Sequence, residues 1–185
     1  MLIDQFLPVY DESKSYETTV RASSEKVYSS LKQIDIHESR IIRGLFFLRG
    51  LPALFTAKNN STKKKLTFDD ITHSGFLLLK EKPNEEIVIG VVGQFWKLTG
   101  NIRRDVMPEK FSEFYEPGFA KAAWNFQLKE DKDGETQLST ETRIQCFGDD
   151  SKKKFKRYWR LIGPFSGVIR KEILKIVKRS AEQEP

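Results

Sequence analysis

The stretch FKRYWRLIGPFSGVIRKEIL, residues 155–174, decides the fold predicted for this chain. Its apolar residues recur at helical spacing on one side while charged residues occupy the other, which predicts a long amphipathic helix. Pro164 stands in its middle, where the ring removes a backbone donor and clashes with the preceding turn, and Gly163 and Gly167 flank it. We therefore predict a helix over 149–181 that is kinked or briefly interrupted, with two separate helices as the alternative.

The segments before this helix carry the alternation of apolar and polar residues that is typical of strands. Pro83 and Asn84 mark one hairpin turn, and KDG at 132–134 is the best turn signal in the chain. Gly90 and Gly93 inside one segment indicate a bulge or a sharp bend. The predicted strands are 14–22, 76–82, 86–98, 120–131 and 135–147.

Two short helices are predicted after the first strand. Residues 23–34 form the first, with Ser23 as its N-cap, and residues 38–50 form the second, which Gly50 and Pro52 terminate. A run of strands beside segregated helices gives the α+β class. In such a fold, a curved antiparallel sheet wrapped around the last helix would bury the apolar stripe of that helix.

Two segments show no regular pattern. Residues 1–13 read as an extended lead-in, and residues 100–118 are expected to form either a lid or a short strand. No linker or internal repeat divides the 185 residues, so a single domain over 1–185 is predicted.

The composition indicates a chain with a large aromatic core and a moderate positive charge. It holds 14 Phe, 3 Trp and 5 Tyr, and its net charge of +6 argues for solubility more than for any partner. The lone cysteine, Cys146, excludes an intramolecular disulfide and fits a reducing compartment. No signal peptide and no run of apolar residues long enough to span a membrane is visible, so a cytoplasmic location is expected.

The order of these elements resembles the START-like, helix-grip proteins, also called the SRPBCC superfamily. VRASSEKVYSSLKQID (20–35) is similar to its first strand and helix, and GQFWKL (93–98), TETRIQC (140–146) and YWRLIGPFSGVIRKEIL (158–174) are similar to segments of an uncharacterised bacterial branch. The resemblance covers nearly the whole chain. It implies a helix-grip fold with a cavity between the sheet and the last helix, in a superfamily that includes polyketide cyclases and lipid-transfer domains. It implies no single activity, because the superfamily carries many.

A ligand cavity needs apolar walls and a few well-placed polar groups. Aromatic and aliphatic residues at alternate strand positions, and on one side of the last helix, are candidates for such walls. A filled core is the alternative interpretation of each, because an apolar residue alone does not distinguish a pocket wall from a packed interior. The candidates are Phe76, Leu78, Val92, Phe95, Trp96, Phe119, Trp124, Phe126, Thr140, Thr142, Ile144, Trp159, Ile162, Phe165 and Ile169.

Four charged residues are candidates for orienting the polar end of a ligand. Glu141 and Arg143 share one strand face, opposite to Thr140 and Thr142. They form a surface salt bridge of little energetic value if the threonines point inward, and they hold a ligand head if they do so themselves. Arg40 and Arg43 lie three residues apart on a predicted helix, close enough to bind one carboxylate, although a solvated helix face explains them equally well.

The sequence offers no metal site, cofactor motif or catalytic constellation. His37 and His73 are isolated, and Cys146 has no histidine near it in sequence. The Lys and Arg residues of the last helix indicate either a solvated face or a footprint for an anionic partner. Since no base-reading motif occurs, no nucleic acid is expected.

The first hypothesis is a binding protein for a small hydrophobic or amphipathic ligand. The alternatives are a cyclase, dehydrase or hydrolase acting on a ligand in the same cavity, and a protein that binds anionic partners through its last helix. Catalytic residues, ligand identity and oligomeric state do not follow from the sequence.

Overall fold

The computed structural model describes residues 1–34, 75–97 and 99–183. The predicted second helix (38–50), together with Arg40, Arg43, His37 and His73, lies outside these residues. In chain order the elements are α1 (Ile3–Phe6), β1 (Glu12–Val20), α2 (Ser24–Lys32), β2 (Leu77–Lys82), β3 (Glu86–Gly93), a 3-10 turn (Pro108–Lys110), β4 (Ala120–Glu130), β5 (Thr136–Cys146) and α3 (Asp149–Gln183).

The strands form one five-stranded antiparallel sheet in the order β1-β5-β4-β3-β2. The turn between β4 and β5 follows the KDG signal: the Asp131 carboxylate accepts hydrogen bonds from the backbone N–H groups of Asp133 and Glu135. Gly134 supplies the positive φ of 76° that this turn requires. The predicted hairpin is therefore confirmed.

The glycines of β3 allow a neighbouring segment to pack closely and do not form a bulge. The register between β3 and β4 is unbroken from Glu86 to Gly93, while the irregularity falls on β2, between Leu78 and Lys80. A Cβ atom at Gly90 would come within 2.7 Å of the Phe111 ring. The prediction of a bulge at these glycines is wrong because the absent side chains make room for a neighbouring segment.

The last helix, α3, runs without interruption through Pro164. The alternative of two separate helices is therefore wrong, and the predicted long C-terminal helix is confirmed. The short helix α2 also begins as predicted, since the Ser23 hydroxyl accepts a hydrogen bond from the Lys26 N–H.

Both faces of the sheet are covered. On the side of α3, one apolar cluster joins β1, β3, β4, β5 and α2 to the C-terminal half of α3, through residues such as Phe126, Leu138 and Leu174. A second cluster on the same side joins Phe95 and Cys146 to Phe155, in the N-terminal half of α3. A third cluster covers the opposite side.

The opposite side is covered by the two segments that lacked a regular pattern. The predicted extended lead-in contains the short helix α1, and Ile3 and Leu7 pack there against Val88 and Val92. Residues 100–118 contain the 3-10 turn, and Phe111 enters the same cluster. They form neither the predicted strand nor a lid over α3. The architecture as a whole is the predicted α+β helix-grip fold, with an antiparallel sheet packed along a long C-terminal helix.

Candidate functional site

The middle of the sheet presents aromatic and hydroxyl side chains to α3. Trp124 and Phe126 on β4 lie opposite Thr142 and Thr140 on β5, so the four side chains share the helix-facing side of two neighbouring strands. The two rings are 5.1 Å apart. Trp124 Nε1 donates a 2.7 Å hydrogen bond to Thr140 Oγ1, which itself donates to the Asn125 carbonyl oxygen. This pair is therefore fixed and satisfied.

Two buried positions of α3 above this surface are glycines, so the helix has no side chain there to hold it away from the sheet. Gly167 lies against β1, where an added Cβ would overlap the hydroxyl of Tyr16. An added Cβ at Gly163 would instead make an ordinary contact of 3.4 Å with the Trp159 ring. Only Gly167 is thus required by the close approach of helix and sheet.

Polar atoms on this side of the sheet are buried without a hydrogen-bond partner. Among the described residues, Thr142 Oγ1, Trp159 Nε1 and Arg170 Nη1 are in this condition. A buried donor without a partner costs free energy that a folded protein normally avoids. Two of these groups lie at the same place, because Thr142 is opposite Trp124 on the neighbouring strand and Arg170 stacks on the Trp124 ring.

Arg170 is the most unusual of these residues because it carries a buried charge. Its guanidinium lies 4.5 Å from the centroid of the Trp124 ring, in cation–π geometry. Burial lowers the pKa of Arg170 to about 9, against the opposing influence of Tyr16. A guanidinium still carries its proton at neutral pH. Within the described part of the chain, no carboxylate forms an ion pair with it.

Most of the predicted wall residues do lie on the helix side of the sheet. Phe76, Phe95, Trp96, Trp124, Phe126, Ile144, Trp159 and Ile169 belong to its apolar clusters or pack against them. Thr140 and Thr142 are buried beside them, and Ile162 is half-buried on α3.

Three of the predicted wall residues lie elsewhere. Val92 and Phe119 belong to the opposite face, the first because strand alternation directs it away from α3. Phe165 is 39% exposed on the outer side of α3. Leu78 lies opposite Ile89 on the helix side of the sheet, but it is 36% exposed on the edge strand β2.

The pair Glu141 and Arg143 lies on the face away from α3, as the inward threonines required. It is not a surface salt bridge, however, because the N-terminal segment buries it: the Arg143 side chain is only 7% exposed. Arg143 donates hydrogen bonds to the carboxylates of Glu141 and Asp4 and to the carbonyl oxygen of Leu7, and its guanidinium faces the Tyr10 ring. The sequence could not show that residues 1–11 fold back over this strand.

A second buried charge on that outer face is equally well supplied with partners. Glu86 accepts hydrogen bonds from the backbone N–H groups of Leu2 and Ile3 and from the Asn125 side chain. Asn125 in turn accepts a hydrogen bond from the Glu141 backbone N–H. The polar groups here attach the N-terminal segment to the sheet, beside an open cleft of about 390 Å³ that Met1, Leu2, Gln5 and Glu86 help to line.

The lone cysteine, Cys146, is buried among apolar residues. Burial, followed by the nearby Asp11 carboxylate, raises the pKa of Cys146 to about 12, so its thiol is protonated and unreactive at neutral pH. Within residues 1–34, 75–97 and 99–183, no cluster of three His, Cys, Asp or Glu side chains has the arrangement of a metal site.

One half-buried acid on the helix side is occupied by structural partners. Glu81 of β2 accepts hydrogen bonds from the Tyr28 hydroxyl and from Lys32. Burial acts to raise the pKa of Glu81, but the hydrogen bonds outweigh it, and the pKa lies below its ordinary value. Burial and the adjacent carboxylate raise the pKa of Tyr28. This group joins α2 to the edge of the sheet.

The outer face of α3 combines basic residues with apolar ones. Leu161, Phe165 and Val168 follow one another at helical spacing and are 70%, 39% and 45% exposed. Arg157 and Arg160 lie beside them in the sequence and are exposed. In the described parts of the chain, no helix is both long and apolar enough to cross a bilayer.

The chain matches no protein-family model, and it matches no curated protein. Solved structures with similar folds do exist. A protein of unknown function from Staphylococcus aureus, SA2116, is 12% identical with a TM-score of 0.38, over 93% of this chain and 98% of that one. The Zhui aromatase/cyclase from Streptomyces sp. R1128 is 16% identical with a TM-score of 0.34, over 93% and 94%.

A third similar structure is CalC, a self-sacrificing resistance protein from Micromonospora echinospora. It is 14% identical with a TM-score of 0.34, over 89% of this chain and 97% of that one. Likenesses at this level carry no argument about activity.

The sequence held a signal for Arg170 that the prediction missed. Arg170 lies eleven residues after Trp159 and four before Leu174, which places it in the apolar stripe of α3 at helical spacing. It was grouped instead with the basic residues of the solvated face. A charged residue within an otherwise apolar stripe was the available signal.

Proposed function

We propose that this protein binds a small amphipathic molecule between its sheet and α3. The observation that carries the proposal is the pair of buried, unpartnered polar atoms at Thr142 and Arg170, beside the Trp124 ring that packs against Phe126. Apolar walls supply most of the affinity for a ligand of this kind, and a few polar groups fix its orientation.

The chemistry of the site favours binding over catalysis. The unpartnered groups are donors and a hydroxyl, whereas acid–base catalysis requires a group that exchanges protons near neutral pH. Glu81, a half-buried acid on this side, is held by Tyr28 and Lys32. The described residues of this site therefore support recognition of a ligand.

The test is displacement of a fluorescent apolar probe, 1-anilinonaphthalene-8-sulfonate, from the purified protein by straight-chain alcohols and acids of eight to sixteen carbons. We expect saturable displacement, and we expect Trp124→Ala to weaken it roughly tenfold through lost apolar contact. Leu161→Ala, on the outer face of α3, is the matched control and leaves displacement unchanged. Absence of displacement by every chain length would overturn the proposal.

A second candidate function is docking of α3 on an anionic lipid surface. The exposed apolar triplet Leu161, Phe165 and Val168 among arginines favours it, because apolar side chains insert into the interface while basic ones face lipid phosphates. Sedimentation with phosphatidylcholine vesicles, with and without phosphatidylserine, tests it. We expect binding to the anionic vesicles alone, lost in Phe165→Ser, and equal recovery with both vesicle types argues against it.

A further inference from the structure

We infer that the ligand of this site carries a single carboxylate, which Arg170 binds, on an apolar body. This inference rests on the proposed function and names the class of molecule that the site takes. It starts from the contrast between the buried guanidinium of Arg170 and the lack of any carboxylate paired with it in the described part of the chain.

The geometry around Arg170 leaves part of its guanidinium available. The Trp124 ring covers one face of the planar group at 4.5 Å. A ring interacts with the face of a guanidinium, whereas its N–H groups point outward in the plane and need acceptors. Nη1 is buried and has no acceptor, so the stacking on Trp124 orients the guanidinium without supplying the hydrogen-bond acceptor that Nη1 needs.

The charge of the site selects a monoanion. A buried guanidinium is balanced by one negative charge, and the other two unpartnered groups, Thr142 Oγ1 and Trp159 Nε1, are neutral. A phosphate monoester near neutral pH carries close to two charges and would leave one of them buried and unbalanced. A carboxylate matches both the single charge and the planar fork of arginine.

The apolar surroundings define the remainder of the ligand. Trp124 covers the guanidinium and packs 5.1 Å from Phe126, in the apolar cluster against which Ile169 also packs, so the body attached to the carboxylate is hydrocarbon or aromatic. Gly163 and Gly167 give α3 two positions without a side chain along this surface. The class is therefore that of fatty acids and hydrophobic aromatic acids.

The experiment compares ligands that differ only in the head group. Dodecanoate, 1-dodecanol, methyl dodecanoate and dodecyl phosphate each displace bound 1-anilinonaphthalene-8-sulfonate from the full chain. The wild-type protein is expected to prefer dodecanoate over the alcohol and the ester by about 10- to 100-fold, the range for a hydrogen bond to a charged group. Arg170→Met is expected to abolish this preference while retaining affinity for the alcohol, and Arg170→Lys is expected to keep part of it.

Arg179→Met is the matched control, because Arg179 is exposed on the same helix. It is expected to leave the preference for the acid unchanged. Equal affinity for dodecanoate and dodecanol in the wild type, or a preference that survives Arg170→Met, overturns this inference while the proposed function stands. Tighter binding of dodecyl phosphate than of dodecanoate overturns the assignment to a carboxylate. Failure of all four compounds, across chain lengths, overturns the proposed function itself.

Discussion

Each face of the sheet buries one arginine, and the two arginines differ in their interaction partners. Arg143, under the N-terminal segment, has two carboxylates, a backbone carbonyl and an aromatic ring as partners. Arg170, under α3, has the face of Trp124 and an unpartnered Nη1. A fully paired buried charge belongs to the architecture of a protein, whereas the unpaired charge of Arg170 is the basis of the proposed ligand site.

The pKa values of the two arginines reflect the same difference. Burial acts to lower the pKa of Arg143, but its hydrogen bonds with Glu141 and Asp4 outweigh burial, and the pKa is raised overall. At Arg170 burial is not outweighed, and the pKa is lowered. The outer face thus stabilises its charge, while the face toward α3 holds a charge at a cost in stability.

The largest expected effect comes from removing the paired arginine. Arg143→Met should lower the free energy of unfolding by about 3 kcal/mol, because it leaves Glu141 buried without its counter-charge and frees the N-terminal segment. Urea denaturation measures this. The exposed Arg179→Met is the control, and a loss no larger in Arg143→Met than in this control would refute the structural role of Arg143.

Substitution of Gly167 tests how closely α3 approaches the sheet. Gly167→Ala should destabilise the protein by about 1 kcal/mol, because overlap with the Tyr16 hydroxyl exceeds the gain in helix propensity. Gly163→Ala is the matched control and should stabilise by a few tenths of a kcal/mol, up to about 1 kcal/mol, since its Cβ makes only an ordinary contact. The same sign of change in both variants would contradict the close approach.

Removal of the unpaired arginine should have the opposite sign from removal of Arg143. Arg170→Met should leave the unliganded protein unchanged or raise its free energy of unfolding by about 1 kcal/mol, because it replaces a buried, unpaired charge by an apolar side chain of similar length. Thermal and urea denaturation measure this. A loss comparable to that of Arg143→Met would make the two arginines equivalent and remove the contrast.

The smallest expected effect concerns the pH dependence of the outer face. Hydrogen bonds from the N-terminal amine and from Arg143 lower the pKa of Asp4. A depressed carboxyl pKa contributes stability that is present above the unfolded pKa of about 4 and is lost as pH falls through the folded value. Asp4→Asn should therefore cost about 0.5 kcal/mol near pH 7, a value reduced by solvent screening, and less near pH 2.

The measurement for Asp4 is the difference in urea midpoint between the wild type and Asp4→Asn at these two pH values. Glu109→Gln, an exposed neutral substitution, is the control for a general change in charge. A difference that grows as the pH falls would have the wrong sign and would exclude the carboxylate of Asp4 as its source.

The strands, the last helix and the β4–β5 hairpin were predictable because periodicity and turn chemistry are local properties. Alternation placed Trp124, Phe126, Thr140 and Thr142 on one side of the sheet, and the structure agrees. The placement of residues 1–11 was not predictable, since it depends on contacts such as Asp4 with Arg143 that join residues 139 positions apart. The apparent surface pair Glu141 and Arg143 was misjudged for that reason.

The second feature that was predicted wrongly is which side of α3 faces the sheet. Phe165 and Arg170 are five residues apart, so they point in opposite directions, and the prediction chose the aromatic residue for the interior. Hydrophobicity alone favours that choice. The structure places the charge inside and the ring outside; the helical spacing of Arg170 with Leu174 indicates this placement, although burial of an unpaired charge is unfavourable.

Pro164 has a further consequence for the way α3 moves. The proline lacks an N–H, so the carbonyl of Arg160 loses its partner within the helix, and this gap lies between the two apolar clusters that hold the ends of α3. Backbone amides around residues 163–168 should exchange with deuterium earlier than those of either helix half. The helix then behaves as two anchored halves joined at a more mobile centre, six residues before Arg170.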